Sequence, residues 1–146
     1  MIRGGCLCGG VRFEIRGQVL DLGNCHCSEC RKAYGAAFGT VAVVARRDFS
    51  YVQGEELIER FHQSERVNRY FCSRCGSPLP MVEDWDPLVG VPAGLLDDDP
   101  VARISSHIFV GSKAPWYEIS DDLPHHETWA PDEDMNERAE SLKTSK

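Results

Sequence analysis

Every cysteine in this 146-residue chain falls in one of three tight clusters, and that grouping limits the fold more than any other feature. The clusters are Cys6-Leu7-Cys8, Cys25-His26-Cys27-Ser28-Glu29-Cys30 and Cys72-Ser73-Arg74-Cys75-Gly76. Seven thiols are an odd number, so one is left over from any complete set of disulfides. The opening Met1-Ile2-Arg3-Gly4 lacks a basic stretch leading into an apolar one, so a reducing, cytoplasmic setting is expected. Grouped cysteines in that setting hold metal more often than they pair. A disulfide or redox role for the pairs is the lesser alternative.

Coordination chemistry suggests how the ligands divide. Tetrahedral zinc with Zn–S near ~2.3 Å sets thiolate sulfurs about 3.8 Å apart, so ligand pairs come from tight local turns. Cys72 to Gly76 fits a zinc knuckle, with a strand ending at Phe71 and Gly76 free to turn left-handed. Cys6 and Cys8 would share one face of an extended strand, pinched together between the flanking glycines. A structural zinc is closed by four protein ligands, whereas a catalytic zinc keeps three and leaves a position open. Two pairs plus a triplet use every cysteine on that scheme. Cys6, Cys8, Cys72 and Cys75 are therefore assigned to a structural zinc, and Cys25, Cys27 and Cys30 to a catalytic one, giving two Zn²⁺ per chain. The alternative is a triplet closed by a histidine, with His26, His107 or the His125-His126 pair as donor.

The rest of the chain reads as mainly β. Val11 to Arg16 alternates apolar and charged residues, and Gly39 to Ala45 is a small, β-branched run. Leu57 to His62 and Arg66 to Phe71 flank a polar turn and read as a hairpin, and Ile104, Ser106, Ile108 and Val110 share one face of a later strand. One short helix is expected over Ser28 to Tyr34, capped by Ser28 and stopped by Gly35. Length allows one core, placed in residues 1–129; residues 130–146 are poor in apolar side chains and read as an acidic tail. No apolar run approaches the ~18 residues of a membrane span. A net charge of −7 repels phosphate backbones, so neither a membrane nor a nucleic acid is expected as partner.

The cysteine clusters, together with Pro92-Ala93-Gly94-Leu95-Leu96-Asp97-Asp98 and His107-Ile108-Phe109-Val110-Gly111-Ser112-Lys113-Ala114-Pro115-Trp116, resemble the glutathione-dependent formaldehyde-activating enzyme family, which also holds centromere protein V-like proteins. The resemblance runs to about Glu127. It implies a β-tent zinc fold of coiled antiparallel sheets and the same division of the two zincs. It also implies carbon–sulfur lyase chemistry, in which glutathione and formaldehyde combine to S-(hydroxymethyl)glutathione.

A thiolate is the nucleophile such chemistry needs, and zinc can deprotonate an entering thiol or polarise an aldehyde. Thiolates crowded on one metal need nearby cations. Arg31 and Lys32 follow the third ligand and can also attract glutathione carboxylates, a solvated helix end being the alternative. Trp116, with Tyr117 and Lys113, can wall the pocket, whereas Asp121, Asp122 and Glu127 read as turn residues. From a different class stands a zinc-stabilised, non-catalytic interaction module. The acidic charge disfavours it, because such a binder of nucleic acid or tubulin calls for a basic arm.

Overall fold

Short apolar or alternating runs, broken by Gly, Pro and Asp turns, leave little room for helix. In the computed structural model, which describes residues 1–131, the elements are β1 (Ile2–Gly5), β2 (Arg12–Ile15), β3 (Val19–Cys25), α1 (Ser28–Tyr34), β4 (Gly39–Ala45), β5 (Phe49–Gln53), β6 (Ile58–Ser64), β7 (Val67–Cys72), β8 (Pro78–Leu79), β9 (Leu88–Pro92) and β10 (His107–Ile108). The acidic tail expected from residue 130 lies, beyond 131, outside the described residues.

The strands form three sheets, ordered β1-β2-β5, β10-β3-β4-β9 and β6-β7-β8. The first two bury one core between them. Phe13 and Ile15 from β2 meet Ala42 and Val44 from β4 and Val89 and Val91 from β9, each pair two residues apart and so on one face of its strand. Burying each of the larger side chains contributes about 1.5–3 kcal/mol. A second, smaller cluster of Val11, Leu79, Cys6 and Cys72 joins the third sheet to the turn after β1. At the entry to β6, Gly54 has φ +79°, and a Cβ there would collide with the Gly10 carbonyl oxygen. Only glycine lets those two loops touch.

The main elements fall where the sequence puts them. β4 and α1 have the expected bounds, and β6 and β7 form the expected hairpin. Four details differ. The helix cap is Cys27, whose Sγ accepts the Cys30 N–H at 3.3 Å, so Ser28 is already helical. Cys6-Leu7-Cys8 is a turn after β1, with Gly9 at φ +74°, and not an extended strand. The strand expected through Val110 ends at Ile108, because Phe109 takes φ +55° and turns the chain. Finally, β10 runs parallel to β3, an exception in otherwise antiparallel sheets.

Candidate metal centres and active site

The turn after β1 and the end of β7 bring the first four cysteines together. Cys6 Sγ lies 3.5 Å from Cys8 Sγ, and Cys8 Sγ 3.9 Å from Cys72 Sγ. With Cys75 all four sulfurs lie within 4.8 Å of one another. These separations bracket the about 3.8 Å edge of a tetrahedral thiolate site and far exceed the ~2.05 Å of a disulfide. Backbone amides already point at the sulfurs: Val11 N–H donates to Cys6 at 3.3 Å and Gly10 N–H to Cys8 at 3.4 Å.

The electrostatics of the four are uneven. The Ser77 hydroxyl, 3.3 Å from Cys75 Sγ, holds that thiol down to about 5. Cys8 moves the other way, to about 11: the Gly10 amide lowers it, but burial and the neighbouring thiols outweigh that pull. Without a cation, one thiol in such a cluster ionises at its neighbours' expense. A divalent metal relieves that repulsion, so the donor set suits one.

The second group forms where β3 runs into α1. Cys25 ends the strand, Cys27 caps the helix, and Cys30 sits buried one turn along it. Their sulfurs lie within 4.8 Å of one another, and no fourth cysteine, histidine or carboxylate joins them among the described residues. His26 stands between two of the cysteines in sequence but outside the group. Its Nε2 lies 2.8 Å from His107 Nδ1. None of the histidines considered as a closing ligand belongs to this group.

Cys30 is the thiol most easily ionised of the three. Hydrogen bonds from Cys25 and Cys27, together with Arg69, whose Nη2 stands 3.9 Å from Cys30 Sγ, outweigh burial and hold it down to about 6. Cys25 is pushed well up by the same pairing. Arg69 is the cation that sequence reasoning missed. It sits on β7, remote in sequence, and only the packing of the third sheet against α1 carries it to the site. Its Nε donates to Gln63 Oε1 at 2.9 Å, which fixes the guanidinium.

Arg69 also lines a cavity of about 470 Å³ beside the triplet, with Lys32, Tyr34, Phe61, Phe71 and Met81. Glu29 also lines it, so the two cations leave a net positive charge that, with the aromatic walls, suits a small molecule carrying carboxylates. Of the expected substrate contacts, Lys32 lines this cavity. Arg31 does not, and its Nε is buried without a hydrogen-bond partner. Trp116 is 71 % exposed and belongs to neither this cavity nor a second one of about 510 Å³ lined by Lys113, Pro115, Tyr117 and His125.

The family model for the glutathione-dependent formaldehyde-activating enzyme matches residues 1–112, a stretch that carries all seven cysteines. The chain belongs to this family. A Halomonas elongata relative, provisionally named a glutathione-dependent formaldehyde-activating enzyme, is 32 % identical over 82 % of this chain and 81 % of its own length. Relatives in Aspergillus flavus and Aspergillus oryzae with the same provisional name are 34 % identical over 51 % of this chain, which spans only 40 % of their length. The crystal structure of a Rhodobacter sphaeroides protein superposes with a TM-score of 0.55 at 27 % identity, covering 66 % of this chain and 89 % of that one. Family membership accounts for the mainly β architecture, and no helix among the described residues is long and apolar enough to cross a membrane.

Proposed function

We propose that this member of the family is a zinc-dependent carbon–sulfur lyase, joining a small thiol, glutathione in the first place, to a small aldehyde such as formaldehyde. Cys6, Cys8, Cys72 and Cys75 would hold a structural zinc, and Cys25, Cys27 and Cys30 a catalytic one. The observation that carries the reading is the second group itself: three clustered sulfurs with no fourth ligand among the described residues, next to a cavity that shares Arg69 with them. Zinc bound there would supply Lewis acidity, lowering the pKa of an entering thiol or polarising a carbonyl oxygen.

The chain's own residues do the rest. Arg69 offsets negative charge on Cys30 and presents guanidinium N–H groups to the cavity. Lys32 and Arg69 are the cations we assign to the carboxylates of the thiol substrate, with Phe61 and Phe71 offering apolar surface beside them. Arg31, on α1, and the exposed Trp116 do not line this cavity, and neither is assigned a direct contact with substrate. In the reaction the substrate sulfur forms a bond to the aldehyde carbon and the carbonyl π pair moves onto oxygen. The thiol proton ends on that oxygen, giving a hydroxymethyl thioether when the aldehyde is formaldehyde.

The test is exchange NMR on glutathione mixed with formaldehyde. Wild-type protein is expected to speed interconversion of free and hydroxymethylated glutathione above the spontaneous rate, and Cys30→Ser to return it to that rate. Equal rates for the two proteins would overturn the assignment and put the non-catalytic interaction module ahead.

A further inference from the structure

We propose that His107, Asp121 and His125 form a third metal site, free of sulfur, that takes a divalent first-row transition ion. His107 Nε2 lies 2.9 Å from Asp121 Oδ2, and His125 Nε2 lies 3.9 Å from Asp121 Oδ1. The three ligand atoms all fall within 4.8 Å of one another. An ion with bonds of about 2.1 Å to nitrogen and oxygen needs ligand atoms roughly 3 to 3.4 Å apart. The first pair is nearly at that spacing, and the exposed His125 ring has to close from 3.9 Å to complete the set.

The ligands are held in place before any ion arrives. The His107 N–H donates to Pro124 O at 2.9 Å and the His126 N–H donates to His107 O at 2.9 Å, so the backbone of residues 124–126 is stitched to β10, and the His107 and His125 rings meet edge to face with centroids 5.2 Å apart. The Leu123 N–H donates to Asp121 Oδ1 at 3.0 Å and orients the carboxylate. Beneath the site, the second nitrogen of His107 is fixed by buried His26 at 2.8 Å. A ligating histidine normally has its other nitrogen held in this way.

The donor set selects the ion. Two imidazoles and one carboxylate favour Fe²⁺, Co²⁺, Ni²⁺ or Zn²⁺ over Mg²⁺ and Ca²⁺, which prefer oxygen throughout. His107 is buried, whereas Asp121 and His125 are exposed, so the free coordination positions face outward, where His125 lines the second cavity. Lys113, the nearest lysine on that wall, donates its ammonium to the Ala114 and Tyr117 carbonyls. Only His107 lies inside the stretch matched by the family model; Asp121 and His125 lie beyond it. The site is therefore argued from this chain alone and does not depend on the lyase reading.

Cobalt provides the test, because thiolate-bound Co²⁺ shows intense sulfur-to-metal charge transfer in the near ultraviolet and a nitrogen–oxygen site does not. Co²⁺ is added to protein carrying two zinc ions per chain and no free zinc, and bound metal is counted after desalting. We expect wild type and His62→Ala to retain one cobalt per chain without charge transfer. Asp121→Asn and His125→Ala, both at exposed positions, should bind it at least tenfold more weakly while their circular dichroism is unchanged. If wild type retains no such cobalt, if all its cobalt shows charge transfer, or if both variants bind as wild type does, the proposal is overturned. Cobalt entering the cysteine groups announces itself by charge transfer, so a fault in the zinc assignment would be told apart from a fault in this one.

Discussion

Arg69 and Cys30 join two parts of the fold that the chain order keeps apart: the guanidinium on β7 stands 3.9 Å from the thiol on α1. Replacing the cation should raise the Cys30 pKa from about 6, though only in part, because Cys25 contributes more to that low value. In metal-free protein we expect Arg69→Gln to slow alkylation of Cys30 at neutral pH severalfold and to move its pH profile upward. Rate profiles by mass spectrometry check this. An unmoved profile would leave the neighbouring thiols of Cys25 and Cys27 as the cause.

The two cysteine groups should differ on mutation. Cys75→Ser removes a ligand from the group that ties the turn after β1 to the end of β7, and the fold should fail with it. Structural zinc contributes on the order of 10 kcal/mol of apparent binding free energy to small domains. Cys30→Ser should leave a folded protein with one metal fewer. Metal analysis and thermal melts distinguish the cases, and equal melting temperatures would show the division to be wrong.

Gly54→Ala should destabilise by about 3 kcal/mol or more, through a left-handed φ and a collision with the Gly10 carbonyl. Because Gly10 follows Cys8 in the same turn, the variant should also bind metal more weakly at the four-cysteine group. Denaturant melts with and without zinc test both effects. Full stability in the variant would mean that the loops part without cost.

Acid should weaken the tie between the first strand and the loop after β9. Arg3 donates its backbone N–H and its guanidinium to Asp98, holding that carboxylate down to about 2. A carboxylate whose pKa is lower in the folded than in the unfolded chain stabilises the fold above the unfolded value, about 3.9. That contribution is lost as pH falls through the folded value. Wild type should therefore melt higher than Asp98→Asn at pH 6, and the two should converge near pH 2.

Local chemistry was legible in the sequence, and tertiary placement was not. The helix bounds, the β6–β7 hairpin and β4 follow from runs of like residues and from Gly35, all within a few positions of one another. The cysteine groups were legible because coordination needs ligand pairs close in sequence. Arg69 was hidden because its role depends on how β7 packs against α1, a relationship that no local pattern encodes. His107 read as one position on an alternating strand and as one possible closing ligand for the cysteine triplet. It became a partner of His26 and Asp121 only once Phe109 had turned the chain and β10 had paired in parallel with β3. Cys27 as helix cap was missed because serine is the commoner capping residue, and here the sulfur takes that part.

Cys8 and Cys72 stand 64 positions apart in the chain yet 3.9 Å apart in space, and a ribosome must respect the first separation before the fold can use the second. During synthesis Cys25, Cys27 and Cys30 emerge together and can take up an ion as a unit. Cys6 and Cys8, although they appear first, wait as an unfinished pair until residue 75 has been added. The moment of completion belongs to the later half of the polypeptide, so a nascent chain interrupted before Cys75 would carry its triplet intact and its clasp unfastened.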